Sequence, residues 1–292
     1  MIRKYWPFIL LIILIIGCFG VYKVLRDYQA DQRARVAKLQ EKAAEIQVTL
    51  IEGLTQDEVA AKLAEKDLFS AQEFLSKSKK FDYSGYPLLI SKPLNTSLEG
   101  YLFPDTYRFN KGATPEDVLT KMLDNFSKRL ASIGVTSKQD FFTIPSFEDL
   151  TVVGGDGKSG MSLYDILTLA SIVEKESGDS SNMSLAEERA LIAGVFYNRM
   201  SIGQALESDA TVNYVTGKND PGATLKDTEV NSPYNTYKYA GLPPGPIGNP
   251  SLGSIQAVLR PTKSDYFYFL HKQPSGEVEF SKTFAEHIKK KQ

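Results

Sequence analysis

Leu163-Tyr-Asp-Ile-Leu-Thr-Leu-Ala-Ser-Ile-Val-Glu-Lys-Glu-Ser177 decides how this chain of 292 residues is read. From Leu163 to Val173 only Asp165 is charged, so a helix over this stretch has no face for water. A helix that is apolar on every side belongs in a core. Ser162 and Asp165 have the spacing of a capping pair and mark the helix start. Charge returns at Glu174, Lys175 and Glu176. A carboxylate there loses hydration and lies at the negative end of the helix dipole, and both effects raise its pKa. An acid still protonated near neutral pH is what general acid catalysis needs. A solvent-facing helix terminus would carry the same three charges, so the segment alone leaves both readings open. Glu174 and Glu176 stand about 200° apart around a helix and cannot both face one cleft.

Outward from this helix stand Val195-Phe-Tyr-Asn-Arg-Met200, Leu206-Glu-Ser-Asp-Ala-Thr-Val212 and Ser232-Pro-Tyr-Asn-Thr-Tyr237. Gly241-Leu-Pro-Pro-Gly-Pro-Ile-Gly-Asn-Pro250, Tyr266-Phe-Tyr-Phe-Leu270, Phe280-Ser-Lys-Thr283 and Glu286-His287 follow. Upstream lies Ser97-Leu-Glu-Gly-Tyr-Leu-Phe-Pro-Asp-Thr-Tyr107. In this order and spacing the motifs resemble the YceG-like (MltG) family of endolytic murein transglycosylases, from about Val48 to His287. The resemblance implies a membrane-anchored enzyme that cuts nascent peptidoglycan strands at the MurNAc-GlcNAc β-1,4 bond and closes a 1,6-anhydro ring. One carboxylate suffices for such a reaction, because the substrate's own C6 hydroxyl replaces water. Glycoside hydrolases ordinarily need two.

The same resemblance points to Glu176, followed by Ser177, as the acid/base, with Glu174 as a structural acid. It places Tyr234 and Asn235 at the active site, the tyrosine to bond substrate or steady Glu176 and the asparagine to hold an acetamido group. Turn chemistry after Pro233 is the plainer reading of both. Asp209 falls where the family reads Leu-Gln-Ser-Asp-Pro-Thr, with Glu207 and Ala210 replacing the Gln and Pro. It would stabilise developing positive charge or simply cap a helix. Glu207 adds a carboxylate to the pattern, which keeps a hydrolytic muramidase using Glu207 or Asp209 among the readings. A catalytically silent wall-binding scaffold is the remaining one.

Composition bounds the rest. A hydrophobic content of 42% supports one or two cores, and a net charge of −1 gives no reason to expect nucleic acid. From Tyr5 to Tyr22 nothing is charged, and the run is mostly Ile, Leu and Phe. At helical rise it spans about 27 Å, enough for a thin bilayer. The expectation is a cytoplasmic tail at 1–4, a single-pass anchor at 5–25 and a helical stalk at 26–47, with everything beyond outside the membrane. Ile15-Ile-Gly-Cys18 also has the look of a lipoprotein cleavage box, but the apolar run continues past it.

Residues 48–97 read as a small βα unit. A strand at Val48–Ile51 precedes capping pairs at Thr55/Glu58 and Ser70/Glu73. The family resemblance makes this a LysM-like glycan-binding module. Residues 98–292 form the expected catalytic domain. It opens with a strand and loop over Leu98–Phe109 and a helix capped at Thr114. An insertion covers 134–161, and the chain beyond 206 reads as mostly loops and short strands. The fold class is α+β, with an N-terminal transmembrane helix, the βα module and a catalytic domain whose cleft is rich in loops.

Gly157-Lys158-Ser159 invites a phosphate-loop reading, but Val152 stands where the first glycine is needed. His271 and His287, with Cys18 as the only cysteine, make no zinc pattern. Without a G-x-S-x-G elbow there is no sign of a serine hydrolase. No metal or organic cofactor is expected. The expected partners are peptidoglycan glycan strands, the membrane and cell-wall synthases.

Overall fold

The computed structural model of the chain describes residues 6–43, 45–136, 141–145, 147, 160–178, 180–218 and 222–291. Within the first segment it describes side chains only at 16–17 and 19–36. Two compact units emerge, one of residues 1–47 with 108–112 and one of residues 48–107 with 113–292. The first contains a continuous helix α1 (Trp6–Ala43) and the outer ends of strands β1 (Glu45–Thr49) and β2 (Thr106–Asn110). Among the described residues no helix is long and apolar enough to cross a membrane. The side chains of residues 5–15, on which the expected anchor rests, and that of Cys18 lie outside the described residues.

In the second unit the inner ends of β1 and β2 pair, with Thr49 and Thr106 joined at 3.0 Å through their hydroxyls. The strand expected at 48–51 thus begins and ends earlier, because its extent is set by a partner nearly sixty residues on. The segment expected to open as a strand at Leu98 is a buried loop, and β2 starts only at Thr106. Between the strands lie α2 (Gln56–Ala64) and α3 (Ala71–Lys80), each opened by its expected capping box at Thr55 and Ser70. α4 (Pro115–Ser132) follows, capped by Thr114 and buried through Val118, Met122, Phe126 and Leu130.

At the centre lies α5 (Leu163–Glu176), where Ser162 Oγ accepts from Asp165 N at 3.2 Å and Asp165 accepts in return from Ser162 N at 2.9 Å. Every residue from Leu163 to Val173 is buried except Asp165. The helix packs against α6 (Leu185–Ser201) and α9 (Leu252–Leu259), and those two pack against each other. Gly194 permits α6 its close approach, since a Cβ there would stand 2.3 Å from Thr262 O.

Beyond residue 206 the chain is more helical than expected. Among the described residues α7 (Asp209–Thr216), α8 (Leu225–Thr228), α9 and α10 (Phe284–Lys290) accompany one antiparallel hairpin. In that hairpin β3 (Tyr268–His271) runs against β4 (Val278–Ser281), pairing Tyr268 with Ser281 and His271 with Val278. Of the expected insertion, a bridge between Phe142 and Met161 is described. Residues 157–159 lie outside the described residues.

The loop at 241–250 is irregular yet largely buried, and its polar groups are answered one by one, as a buried backbone requires. Ile247 N donates to Ser171 Oγ at 2.9 Å. Asn249 Oδ1 accepts from Leu102 N at 2.9 Å, while its Nδ2 donates to Leu54 O at 2.9 Å and Glu99 Oε1 at 3.2 Å. Gly245 leaves room for a neighbour: a Cβ there would fall 2.2 Å from the Tyr164 hydroxyl. One asparagine thus ties the 48–107 segment to the helical core.

Candidate active site

The last turn of α5 sends its two acids in opposite directions, as their angular separation requires. Glu174 turns to α6 and α9, pairing with Arg189 Nη2 at 2.6 Å and accepting from Ser251 N at 2.8 Å. Glu176 turns to the 206–210 segment, where Ser208 Oγ donates to its Oε1 at 2.5 Å. It also receives the backbone N–H of Ala210. Glu176 keeps partial access to solvent but is crowded by protein. Loss of hydration is the largest influence and raises its pKa, and nearby Asp209 raises it further. The bonds from Ser208 and Ala210 and the nearness of His271 pull the other way. The net direction is upward, toward an acid that holds its proton.

Two cavities share Glu176 as wall. One of about 740 Å³ is lined by Asp57, Glu99, Lys175, Asp209, Tyr214 and Ile247, among others. The other, about 380 Å³, is lined by Arg199, Glu207, Tyr237, Tyr268, Phe284 and His287, among others. Asp209 is common to both, so the acid sits between two spaces rather than at the end of a pocket. A third cavity of about 470 Å³, bounded by Arg129 and Arg189, lies away from Glu176. Glu99, 5% exposed, has its pKa pushed up to about 8 by burial. The helix N-terminus that meets it, through Gln56 N at 2.9 and 3.0 Å, opposes that rise.

The remaining expected residues divide. Asp209 is the first residue of α7, and its Oδ1 accepts from the Tyr237 hydroxyl at 2.6 Å. Tyr234 is half-buried with its ring 5.1 Å from that of Tyr214, so it backs a wall residue of the larger cavity and is absent from either wall. Burial pushes its hydroxyl up to about 12. Asn235 is fully buried. Its Nδ2 donates to Thr228 O at 2.9 Å and Val230 O at 2.8 Å, and its Oδ1 accepts from Tyr237 N at 3.0 Å. Both donors are thereby taken up by its own loop and the oxygen accepts one bond there, so Asn235 holds the loop.

That loop in turn holds the acid. Thr236 O accepts from Glu207 N at 3.0 Å, and Thr236 Oγ1 accepts from Ser208 N at 3.1 Å. Ser208 then bonds Glu176. Ser208, Thr236 and Tyr237 were not singled out from the sequence, although each sits inside a motif that was. The signal for Ser208 is a short polar residue beside a candidate acid, which sequence alone does not separate from turn chemistry. Glu207 holds a left-handed backbone at φ +50 and lies 3.5 Å from Arg199. Arg199, 6% exposed, also donates to Leu206 O and Phe267 O, so it pairs internally as a helix-borne arginine should. Among the described residues no three His, Cys, Asp or Glu side chains converge as a metal-holding group.

The chain is 36% identical over 257 residues to the endolytic murein transglycosylase of Bacillus subtilis strain 168, covering 84% of this chain and 64% of the relative. It is 34% identical over 261 residues to the protein of that name from Streptococcus pneumoniae D39, covering 82% of this chain and 43% of the relative. The chain thus spans less than two thirds of the length of either. The 2.6 Å crystal structure of a yceG-like protein from Listeria monocytogenes superposes with a TM-score of 0.65 at 33% identity, over 88% of this chain and 80% of that one. The model of the YceG-like family matches residues 19–292, which include every element of the site around Glu176, and the chain belongs to that family.

Proposed function

We propose that this chain is an endolytic peptidoglycan lytic transglycosylase with Glu176 as its single acid/base. The observation that carries the reading is the position of Glu176, a carboxyl with raised pKa on the shared wall of two cavities. A polymer cut in its interior needs room on both sides of the acid.

In the first half of the reaction Glu176 donates its proton to the glycosidic O4 as the C1–O4 bond of MurNAc breaks. The oxocarbenium-like centre left at C1 is stabilised by the negative charge of Asp209. The Glu176 carboxylate, still held by Ser208, then takes the proton of the C6 hydroxyl. O6 bonds C1, the anhydro ring closes and Glu176 ends protonated. No water molecule and no second carboxylate enter the balance.

Thr55, Asp57 and Glu58, from the start of α2, line the larger cavity together with Glu176. This supports a role for the βα segment, as a LysM-like element, in holding the glycan beside the acid. The apolar run from Tyr5 to Tyr22 supports a single-pass anchor at 5–25 that leaves the catalytic part outside the membrane, near cell-wall synthases.

A second reading, hydrolysis, draws on Asp209, which borders both cavities beside Glu176. Glu207 is turned to Arg199 and serves that reading less well. The test is to incubate the full-length chain in detergent, and its Glu176→Gln variant, with uncrosslinked peptidoglycan strands and to identify products by mass spectrometry. Anhydro-muramyl ends from wild type alone are the expected result. Reducing ends would replace the lyase with a muramidase. No product from a folded wild type, with glycan still retained, would leave a scaffold.

A further inference from the structure

The backbone just past Glu176 is held by a pair of side chains with no role so far. Ser177 ends α5, and the next N–H, that of Gly178, donates to Glu188 Oε1 at 2.8 Å. The same oxygen receives His271 Nε2 at 2.7 Å. Glu188 comes from the first turn of α6 and its side chain is 0% exposed, whereas that of His271, the last residue of β3, is 28% exposed. The imidazole lies against the backbone behind the acid: a Cβ on Gly178 would stand 3.7 Å from its Nε2. A fully buried carboxylate is best tolerated when a hydrogen-bonded neighbour carries the opposite charge, and His271 is that neighbour. The geometry therefore favours imidazolium.

We propose that His271 and Glu188 form a positioning pair for Glu176, in which Glu188 fixes the backbone just past the acid and the imidazolium supplies it with a nearby positive charge. The proposal rests on the reading of Glu176 as acid/base and deepens it. A one-carboxylate enzyme must pass through a state in which that carboxylate is charged beside Asp209. The imidazolium offsets Asp209 in that state.

The surrounding charges agree in direction. Glu188 raises the pKa of His271, and His271 lowers that of Glu176. Arg199 of α6 and Tyr237 also lie within electrostatic reach of Glu176, and Arg199 is turned to Glu207. Lys272, next to His271, is turned to Glu279 on β4 at 2.5 Å, and Arg189 is turned to Glu174 at 2.6 Å, while Lys175 and His287 share the cavity walls with Glu176.

The test uses the full-length chain in detergent with ¹³C-carboxyl-labelled glutamate. The Glu176 resonance is assigned by difference against Glu176→Gln. In His271→Gln the Glu176 midpoint is expected to rise by about 0.5–1 pH unit, the low end of what a nearby opposite charge exerts on a partly solvated acid. The basic limb of kcat/KM should move with it, and kcat should fall by about three- to tenfold, the same shift read as a rate. His271→Lys should return the midpoint toward wild type. Glu188→Gln should resemble wild type below about pH 6, where the imidazole protonates unaided, and His271→Gln above about pH 7.

A midpoint that stays put in His271→Gln, with only the melting temperature lowered, would reduce the pair to a structural strut and overturn the proposal. So would a downward shift. Because His271 is partly exposed, its variants keep the test open if Glu188→Gln does not fold. Absence of product from wild type would count against the reading of Glu176, while the NMR midpoint decides the pair in either case.

Discussion

Replacing Ser208 by Ala removes one hydrogen bond from the acid and little else. Ser208 is 2% exposed, its Oγ donates to Glu176 Oε1 at 2.5 Å, and its backbone is held separately by Thr236. A hydrogen bond to a charged group contributes about 1.5–3 kcal/mol. Glu176 retains partial solvent access, so water takes over some of that role and about 1.5 kcal/mol is the appropriate figure. The bond favours the carboxylate, so losing it raises the pKa of Glu176, by roughly one unit. A general acid must be protonated in the free enzyme, and the basic limb of kcat/KM reports its pKa. That limb should therefore lie above the ordinary glutamate range in wild type and move up by roughly one pH unit in Ser208→Ala. The assay is the rate of anhydro-end formation on uncrosslinked strands between pH 4 and 9, with melting temperature as a folding control. A limb that stays fixed or moves down, in a folded variant, would refute the role given to this bond.

Glu176→Gln should be more stable than wild type above the raised pKa of Glu176 and no different below about pH 4.5. A carboxyl with a folded pKa above its unfolded one binds more protons when folded, so wild-type stability falls as pH rises through that window. Melting curves at pH 4 and 8 would check the sign. Glu174→Gln should behave in the opposite way to Glu176→Gln. Disturbing its buried pair with Arg189 should lower stability by about 3 kcal/mol in urea titrations, as a broken buried ion pair does, while the acid at Glu176 remains in place. Asn235→Ala removes two amide donors and leaves two part-buried carbonyls, of Thr228 and Val230, without them. It should lose about 1–2 kcal/mol of stability and lower kcat more than it raises KM, because the loop that holds Ser208 loosens.

Several features were legible because their causes are local. The capping boxes at Thr55, Ser70, Thr114 and Ser162 span four residues each and formed as spaced. The burial of Leu163–Val173 follows from a helix with no polar face. The divergence of Glu174 from Glu176 follows from helical rotation alone. The dense prolines and glycines of 241–250 foretold irregular backbone but not Asn249 as its anchor, whose partners lie 147 to 195 residues away.

What the tertiary structure decided is which of these local pieces meet. The strand at 45–49 could not be bounded until β2 was beside it, since a strand ends where its partner ends. Asn235 carries the same turn residues whether it faces sugar or its own backbone, and only the fold shows its amide bonded to its own loop. Ser208 meets Glu176 across 32 residues and His271 meets Glu188 across 83. A carboxylate's pKa is set by the groups that surround it in space, and periodicity along the chain carries no record of those. The chain's own pattern was enough to identify an acid at the end of a buried helix. The charges and hydrogen bonds that tune that acid come from distant segments and exist only once the chain has folded.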